Sequence, residues 1–500
     1  MLALVQGAGY KISPNKKFML RLRAQFILTL VLALIAAALF IVQAVTGAAY
    51  VQPIFFGALC LCYGMYFLCT YIKSVKLPKF TPRLIRLFCA LIVIAFLISR
   101  LLIFAGSKLV IAGTVCGLYL LFLLPAFIPL LIAAALIFVK PLESIIARRF
   151  ISRAKSRLDE RQGLIRIGVT GSYGKTSVKN MLAALLGDAA YATPASYNTP
   201  MGICKAVSDM PADVKYFICE MGARRTGDIA ELCGIVRPRV GVITGIAPQH
   251  MQTFRTLDNI IAAKGELIES LPCNGAAVFN GYDENAVKMY RNCSIRKRYM
   301  TKKGVRYENA LLTPRGSAFD LVCENERAAC ELPLIGRHNI ENFCLAAQVC
   351  LALGMSLQEV AARAKYIKPV PHRLEVIDTG RGITVIDDGY NSNVRGAKAA
   401  LDALAGFDGR KIVAAQGFAE AGDKDAEFNI RLGEQIAEVA DIAILIGVKA
   451  KLIEQGLTAH FFPRENIYIT SSLTAAREIF GRILLRGDVL LIENDLPENA

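Results

Sequence analysis

The stretch GLIRIGVTGSYGKTSVKNML, residues 163–182, predicts a phosphate-binding loop between a strand and a helix. An apolar run at 164–169 is typical of a buried strand, a glycine turn follows at 171–174, and a helical pattern begins directly afterwards. At such a turn the backbone N–H groups face an anion, a lysine adds a point charge, and a hydroxyl can hold Mg²⁺. Val169 stands where a strict Walker pattern needs glycine, so the match is to the tighter form GxxGKT[ST]. Taken alone, the stretch is either a nucleotide loop or a structural turn.

The composition indicates membrane segments rather than a nucleic-acid-binding protein. The chain has 500 residues, of which 54% are hydrophobic, and two or three domains are expected from this length. Residues 1–162 hold 19 Lys and Arg but only 3 Asp and Glu, so they carry nearly all of the net charge of +17. This charge flanks apolar segments, which favours membrane lipids as a partner and argues against nucleic acid. The 14 cysteines show no paired CxxC spacing, which is typical of free thiols in a reducing cytosol.

Four apolar stretches are long enough to cross a bilayer and predict a four-helix transmembrane domain over residues 1–140. They cover residues 25–45, 50–72, 84–105 and 110–139, and the last contains two prolines that predict a kink, a tilt or a re-entrant turn. Lys and Arg cluster before the first stretch, between the second and third, and after the fourth. The positive-inside rule then predicts a multi-pass protein of the plasma membrane whose catalytic domains lie in the cytoplasm.

The rest of the chain predicts an α/β body in two domains. Residues 141–162 have the pattern of a basic amphipathic connector. From residue 163, short β-like runs alternate with helix-compatible sequence, which predicts a parallel sheet in a central domain over 163–370. A second alternating series predicts a Rossmann-like C-terminal domain over 371–500.

Several motifs follow the phosphate loop, and each has a structural explanation when taken alone. In order they are SYNTPMGI (196–203), FICEMGA (217–223), VITGIAPQH (242–250), AAKGEL (262–267), PLIGRHNIENF (333–343), VPHRLEVI (370–377) and VIDDGYNSN (385–393). Glu220 ends an apolar run, and an acidic residue leaving a strand beside a phosphate loop can ligate Mg²⁺ or cap the next helix. His250 and Lys264 are residue types that are more often structural or solvated than functional.

Together and in this order, the motifs resemble those of the ATP-dependent Mur ligase superfamily, in particular its MurF branch. The resemblance covers about residues 163–500 and implies a P-loop ATPase domain followed by a Rossmann-like domain. It implies ATP, two Mg²⁺ ions and an ADP-forming reaction in which a substrate carboxylate becomes an acyl phosphate and is then joined to an amine. The implied partners are a carboxylate-bearing cell-envelope precursor of peptidoglycan synthesis and an amino acid or dipeptide.

The resemblance also assigns roles to individual residues. Lys175, Glu220, His250 and Lys264 are the implied catalytic residues, with Thr176, Glu220 and His250 as metal ligands and Lys264 as a carbamylated lysine. The implied nucleotide-binding residues are Gly171, Ser172, Tyr173, Gly174, Lys175, Thr176, Ser177, Asn198, His338, Asn339, Asn342, Arg373 and Asp388.

Departures from the family pattern concern the acceptor and the amine. The predicted spans occupy the place of the family's UDP-binding domain, and Gly245, Gly389, Val394 and Asn429 replace residues that are usual there. The last residues also lack the KGS-type motif of the family. The hypothesis is therefore a membrane-anchored amide ligase with a lipid-linked acceptor. The alternatives are a poly-γ-glutamate-type synthetase and a non-catalytic scaffold with the same fold.

Overall fold

The computed structural model describes residues 80–107, 110–111, 114–115, 128–195, 197–249, 251–389, 394–418 and 424–493, together with Ala38, Val42 and Val45. The chain forms two compact units, which divide between Arg149 and Phe150. The first two predicted spans, at 25–45 and 50–72, lie outside the described residues apart from those three positions.

In the first unit, helix α1 (Pro82–Ser107) packs against helix α2, which begins at Ile128 and continues to Asp159. Leu84 and Leu87 of α1 form a small cluster with Ile132 and Ala135 of α2. Within the described residues, the windows Pro82–Leu101 and Leu130–Asp159 are long and apolar enough to cross a membrane, with mean hydropathies of 2.4 and 2.1.

The predicted fourth span, 110–139, and the described elements have different bounds. Residues 110–115 contain the short antiparallel pair β1 (Val110–Ile111) and β2 (Thr114–Val115), and the described part of α2 begins at Ile128. Of the two prolines behind the predicted kink, Pro129 is the second described residue of α2, and Pro125 lies outside the described residues. The connector predicted at 141–162 is the continuation of α2 as far as Asp159, with Pro141 inside the helix.

The second unit starts with a parallel sheet in the order β4-β5-β3-β6-β7-β8. Its strands are β3 (Ile165–Thr170), β4 (Ala190–Ala192), β5 (Tyr216–Glu220), β6 (Val240–Ile243), β7 (Ala276–Phe279) and β8 (Lys297–Met300). Its helices are α3 (Lys175–Leu186), α4 (Pro200–Asp209), α5 (Asp228–Val236), α6 (Met251–Phe254), α7 (Leu257–Glu269) and α8 (Glu284–Arg291). After β3 the chain forms β4 and β5 on one side of this strand and then crosses over to form β6, β7 and β8 on the other side. The strand order therefore reverses at β3, and sheets of this kind bind ligands at such a topological switch point.

An antiparallel sheet of β9 (Arg306–Thr313), β10 (Gly316–Cys323) and β11 (Glu326–Leu332) follows and was not predicted. It packs with α9 (Arg337–Ala352), α10 (Leu357–Arg363) and α3 over one face of the parallel sheet. The other face is covered by α4, α5, α7, α8 and the end of α2, where Ala154 and Leu158 are buried. Both faces are therefore closed, as a parallel sheet requires.

The C-terminal sheet has the order β12-β13-β17-β14-β15-β16 and is parallel except for its first pair. Its strands are β12 (Glu375–Asp378), β13 (Thr384–Asp388), β14 (Lys411–Ala415), β15 (Ile442–Ile446), β16 (Ile467–Thr470) and β17 (Val489–Glu493). Its helices are α11 (Val394–Ala405), α12 (Asp425–Ala437), α13 (Ala450–Ala459) and α14 (Leu473–Ile483). The predicted α/β architecture of both parts is thus confirmed at the level of the sheets.

Candidate active site

The phosphate loop follows β3 directly, and α3 begins at Lys175. Gly174 precedes the helix with a φ of 76°, a left-handed conformation that favours glycine. The Ser172 N–H donates to the Gly245 carbonyl over 2.7 Å, and Ser172 Oγ donates to Ala247 O over 2.9 Å. These contacts hold the loop against the segment that follows β6.

The Lys175 side chain folds back over the phosphate loop. Its ammonium donates to Gly171 O at 2.8 Å and to Ser172 O at 3.4 Å. Burial lowers the pKa of Lys175 to about 8, an effect that Glu220 opposes and Arg373 adds to. The position combines a cation with the N-terminus of a helix, which is the arrangement that binds phosphate oxygens.

Glu220 lies at the end of β5, and the strand register places it opposite Val169 of β3. Thr176 Oγ1 donates to Glu220 Oε2 over 3.0 Å, and Asn198 Nδ2 donates to Oε1 over 3.4 Å. The structure therefore brings together three residues predicted from separate motifs. A hydroxyl and a carboxylate beside a phosphate loop fit a Mg²⁺ ion, which binds oxygen ligands and usually keeps several waters and substrate phosphates.

His250 lies outside the described residues, so its predicted place as a metal ligand remains a prediction. In the part of the chain that the structure describes, no group of three or more His, Cys, Asp or Glu residues could hold a metal ion by itself. Thr176 and Glu220 are accordingly the described residues that would hold Mg²⁺.

Lys264 lies on α7 and is buried, with 3% of its surface exposed. Burial lowers its pKa to about 7, and the charge of Lys175 acts in the same direction. Asp228, Glu266 and Glu220 oppose the shift. A lysine in this state has a substantial neutral fraction near neutral pH, which is the form that reacts with CO₂.

The predicted adenine-side residues lie at the start of α9, one of whose sides faces the loop. A Cβ atom at Gly174 would come within 2.7 Å of Asn342 Oδ1, so the asparagine is packed directly on the phosphate loop. Asn339 Nδ2 donates to Ile335 O at 2.9 Å, and burial lowers the pKa of His338 to about 4. Ser177, Asn339 and Arg373 line one small cavity.

Arg373 and Asp388 come from the C-terminal part of the unit. Asp388 Oδ1 accepts from the Leu374 N–H over 3.1 Å, which ties the end of β13 to the segment that carries Arg373. Burial raises the pKa of Asp388 to about 6, and Arg373 opposes the rise. Arg373 also lowers the pKa of Lys175, so it lies close enough to interact electrostatically with both Asp388 and Lys175.

The structure accounts for two departures from the family pattern, at residues 245 and 429. A Cβ atom at Gly245 would lie 2.2 Å from Cζ of Tyr173, so the tyrosine ring occupies the space that a side chain at residue 245 would need. Asn429 is also accounted for locally, because it is fully buried and its Oδ1 accepts from the Phe418 N–H at 2.9 Å. Tyr390–Asn393 and residues 419–423 lie outside the described residues.

Lys179, Asp283 and Arg395 contact site residues but were not predicted. Lys179 Nζ lies 3.5 Å from Glu220 Oε2, while Asp283 and Arg395 surround Tyr173. For Lys179 the available indication was its spacing of four from Lys175, which places both on one side of α3. Asp283 and Arg395 lie 110 and more residues from the loop, so no local pattern connects them to it.

Comparisons with known proteins agree with this geometry. A family model of the Mur ligase middle domain matches residues 169–350, and a model of the Mur ligase glutamate ligase domain matches residues 372–493. The UDP-N-acetylmuramoyl-tripeptide–D-alanyl-D-alanine ligase of Escherichia coli is 28% identical over 71% of this chain and 82% of its own length. The enzyme of the same name from Mycobacterium tuberculosis H37Rv is 35% identical, over 49% of each chain.

Solved structures share the fold. MurF from Acinetobacter baumannii aligns with a TM-score of 0.64 and 23% identity, covering 70% of this chain and 77% of its own. MurF ligase from Thermotoga maritima in complex with ADP aligns with a TM-score of 0.61 and 24% identity, covering 70% and 80%. With the middle and C-terminal domains matched in order and relatives that are themselves ligases, the chain belongs to the Mur ligase family of ATP-dependent ligases.

Proposed function

We propose that this chain is an amide ligase that activates a substrate carboxylate with ATP and joins it to the amine of an amino acid or dipeptide. The observation that carries the proposal is the meeting of Thr176, Asn198 and Glu220 beside the phosphate loop, at the switch point of the parallel sheet. Ligands bind at this edge in sheets of this kind.

The reaction has two steps. A carboxylate oxygen of the acceptor attacks the γ-phosphorus of ATP, the bond from that phosphorus to the β–γ bridging oxygen breaks, and ADP leaves. The amine then attacks the carbonyl carbon of the acyl phosphate, the tetrahedral intermediate expels inorganic phosphate, and the nitrogen loses a proton to give the amide.

The residues of the site supply positioning and charge for these steps. Lys175 and the N–H groups of the loop would contact the β- and γ-phosphates, and Asn198 would lie near the γ-phosphate. Thr176 and Glu220 would hold Mg²⁺, which when bound neutralises charge that develops on the transferring phosphoryl group. Arg373 and Asp388 would contact the nucleotide from the C-terminal domain.

The relatives support a cell-wall precursor as the acceptor, since their names give UDP-N-acetylmuramoyl-tripeptide and D-alanyl-D-alanine as substrates. We propose that this chain takes a related, lipid-linked precursor at the cytoplasmic face of the plasma membrane. What supports this is the apolar surface of the helices that precede the middle domain. Exposed side chains along α1 include Ile92, Val93, Phe96, Leu97 and Leu101, which would face water if no lipid covered them.

Removal of Lys175 tests the ATP half of the reaction. In the purified full chain with an accepted substrate, Lys175→Ala should lower the rate of ADP release by about a hundredfold or more, as loss of a charged phosphate contact does in phosphoryl transfer. Lys215→Ala removes an exposed lysine just before β5 and should leave the rate unchanged. Equal rates in the two variants would contradict the proposed site.

The acceptor is tested by substrate competition. The full chain in lipid nanodiscs is offered the same muropeptide on an undecaprenyl carrier or on UDP, with single amino acids or D-alanyl-D-alanine as the amine. We expect ADP release with the lipid-linked form. Release only with the UDP-linked form would refute the lipid-linked acceptor while leaving the ligase reaction intact. Polymer formed from glutamate alone would instead favour the poly-γ-glutamate synthetase.

A further inference from the structure

Outside the metal site, the side chains of Tyr173 and Arg395 meet at the buried carboxylate of Asp283. The Tyr173 hydroxyl donates to Asp283 Oδ2 over 2.6 Å, and Arg395 Nη1 donates to the same oxygen over 2.7 Å. The Arg395 guanidinium also lies over the Tyr173 ring, 5.1 Å from its centroid. The Asp283 side chain is 1% exposed, and its two oxygens accept hydrogen bonds from these two partners and from the Ala286 N–H, which donates to Oδ1.

The three residues come from three separate parts of the ligase unit. Tyr173 belongs to the phosphate loop, two residues before Lys175. Asp283 is the N-cap residue of α8, directly after β7 of the central sheet. Arg395 lies in the first turn of α11, in the C-terminal domain. The cluster therefore connects the phosphate loop to the C-terminal domain through a fixed point of the central domain.

We propose that Tyr173, Asp283 and Arg395 form a latch through which the C-terminal domain holds the phosphate loop in its ATP-binding shape. Tyr173 and Arg395 are then positioning residues for ATP, and the inference rests on the proposed use of this loop for ATP.

The chemistry of the contacts favours a strong but reversible latch. Hydrogen bonds to an ionised group are about twice as strong as neutral ones, and the planar guanidinium adds a second bond from Nη2 to Tyr282 O at 3.0 Å. Arg395 is 46% exposed, so it can leave the cluster into water if the C-terminal domain moves. Its departure would leave Asp283 buried with one neutral hydroxyl and one amide as partners, which is costly.

The packing of Tyr173 transmits the state of the latch to the loop. The ring fills the space above Gly245, whose carbonyl accepts the Ser172 N–H. A shift of the ring would therefore disturb the same two segments whose hydrogen bond shapes the loop. Gly245 is required for this arrangement, because a Cβ atom there would collide with the ring.

The test compares three variants of the full chain. Arg395→Ala removes the cation, and Tyr173→Phe removes only the hydroxyl and keeps the ring over Gly245. Lys398→Ala is the matched control, because Lys398 lies one turn further along α11 and pairs with the exposed Asp402 instead. ATP affinity is measured by displacement of a fluorescent ADP analogue without any acceptor. Backbone amide exchange of the peptide covering 171–177 is followed by mass spectrometry without nucleotide.

We expect ATP to bind roughly tenfold more weakly to Arg395→Ala and about threefold more weakly to Tyr173→Phe, with faster amide exchange in the loop peptide of both. The control should match the wild type in both measurements. If Arg395→Ala shows the same ATP affinity and the same amide exchange rate in the loop peptide as the wild type, the latch is overturned. If Arg395→Ala does not fold, Tyr173→Phe decides the question by the same two measurements. A wild-type chain that fails to bind ATP would refute the proposed function, whereas the exchange rates would still report on the latch.

Discussion

Lys179 is a charged side chain that is almost fully buried beside the site, with 1% of its surface exposed. Its ammonium donates to Thr193 O at 2.9 Å and to Ala195 O at 2.8 Å, and it lies 3.5 Å from Glu220. It thus holds the segment that leads to Asn198 and balances the charge of the carboxylate. The sequence alone does not single out Lys179, because a lysine within a helix is usually solvated.

Replacing Lys179 by methionine keeps most of its volume and removes its charge. We expect the free energy of unfolding of the ligase unit to fall by about 3 kcal/mol, since the Glu220 carboxylate would remain buried and lose this neighbouring cation. Urea denaturation followed by circular dichroism measures the change. Lys215→Met, at an exposed position, should lie within about 0.5 kcal/mol of the wild type. If Lys179→Met also changed the free energy of unfolding by no more than about 0.5 kcal/mol, the Lys179–Glu220 pair would contribute little to stability.

Lys264 gives the site a dependence on pH with a definite sign. Its pKa is about 7 in the folded protein against an ordinary 10.5, so between these values the unfolded chain binds more protons at this residue. In CO₂-free buffer, the free energy of unfolding should therefore rise with pH across this window. Denaturation curves at intervals across the window should show a weaker rise in Lys264→Met than in the wild type. Parallel profiles would contradict the shift.

Carbamylation of Lys264, which the family resemblance implies, is open to a direct test. The neutral amine that reacts with CO₂ becomes the major form as the pH rises through about 7. We expect ADP release to fall in CO₂-depleted buffer and to recover with bicarbonate, with a carbamate signal from ¹³C-bicarbonate in the wild type. Lys264→Ala should lose the signal and regain some activity with acetate. Activity that is indifferent to bicarbonate would argue against the modification.

At the scale of elements, α2 links the apolar segment to the ligase core without a break. The helix is apolar and largely exposed near Ile137 and Phe138, and it ends with Ala154 and Leu158 buried in the core of the ligase unit. Arg157 Nη1 donates to Ser208 O at 2.8 Å, which fixes the same end of the helix to the end of α4. The last turns of α2 therefore belong to the folded ligase unit.

Leu158→Ala tests this attachment. The side chain is fully buried, so its truncation should lower the free energy of unfolding of the ligase unit by about 3 kcal/mol. Leu142→Ala is the control on the same helix, where the side chain is 48% exposed, and it should change the stability far less. Equal effects of the two would show that the end of α2 does not pack on the core.

The parallel sheets could be predicted from sequence because their strands are short apolar runs with glycine-containing turns between helical stretches. The antiparallel sheet β9–β11 was missed, since its strands mix the half-buried Arg306 and Glu308 and the exposed Arg327 with the buried Phe319 and Leu321. Arg327 of β11 pairs across the sheet with Asp320 of β10 and Glu308 of β9, a pattern that appears only once the register is known. The pairing of Asp283 with Arg395 could not be predicted either, because the two residues are 112 positions apart and meet only in the folded chain.

At the scale of the whole molecule, the apolar segments before the ligase unit predict an integral membrane protein. Alkaline carbonate extracts peripheral proteins but leaves spanning helices in the bilayer, so the full chain should remain in the membrane pellet. A reporter fused after residue 500 should be active on the cytoplasmic side, as the Lys and Arg distribution predicts. Release of the chain by carbonate would remove the basis for a lipid-linked acceptor.

The cations around Glu220 bear on the order in which ligands arrive. Among the described residues, Arg373 acts electrostatically on both Lys175 and Lys179, and both lysines interact with Glu220. Free Mg²⁺ would meet a pocket that is already positive, whereas a triphosphate would be drawn into it. The metal should therefore enter with the nucleotide. Calorimetry with Mg²⁺ alone should show no measurable heat of binding, and Lys175→Ala should make the pocket more receptive to the free ion.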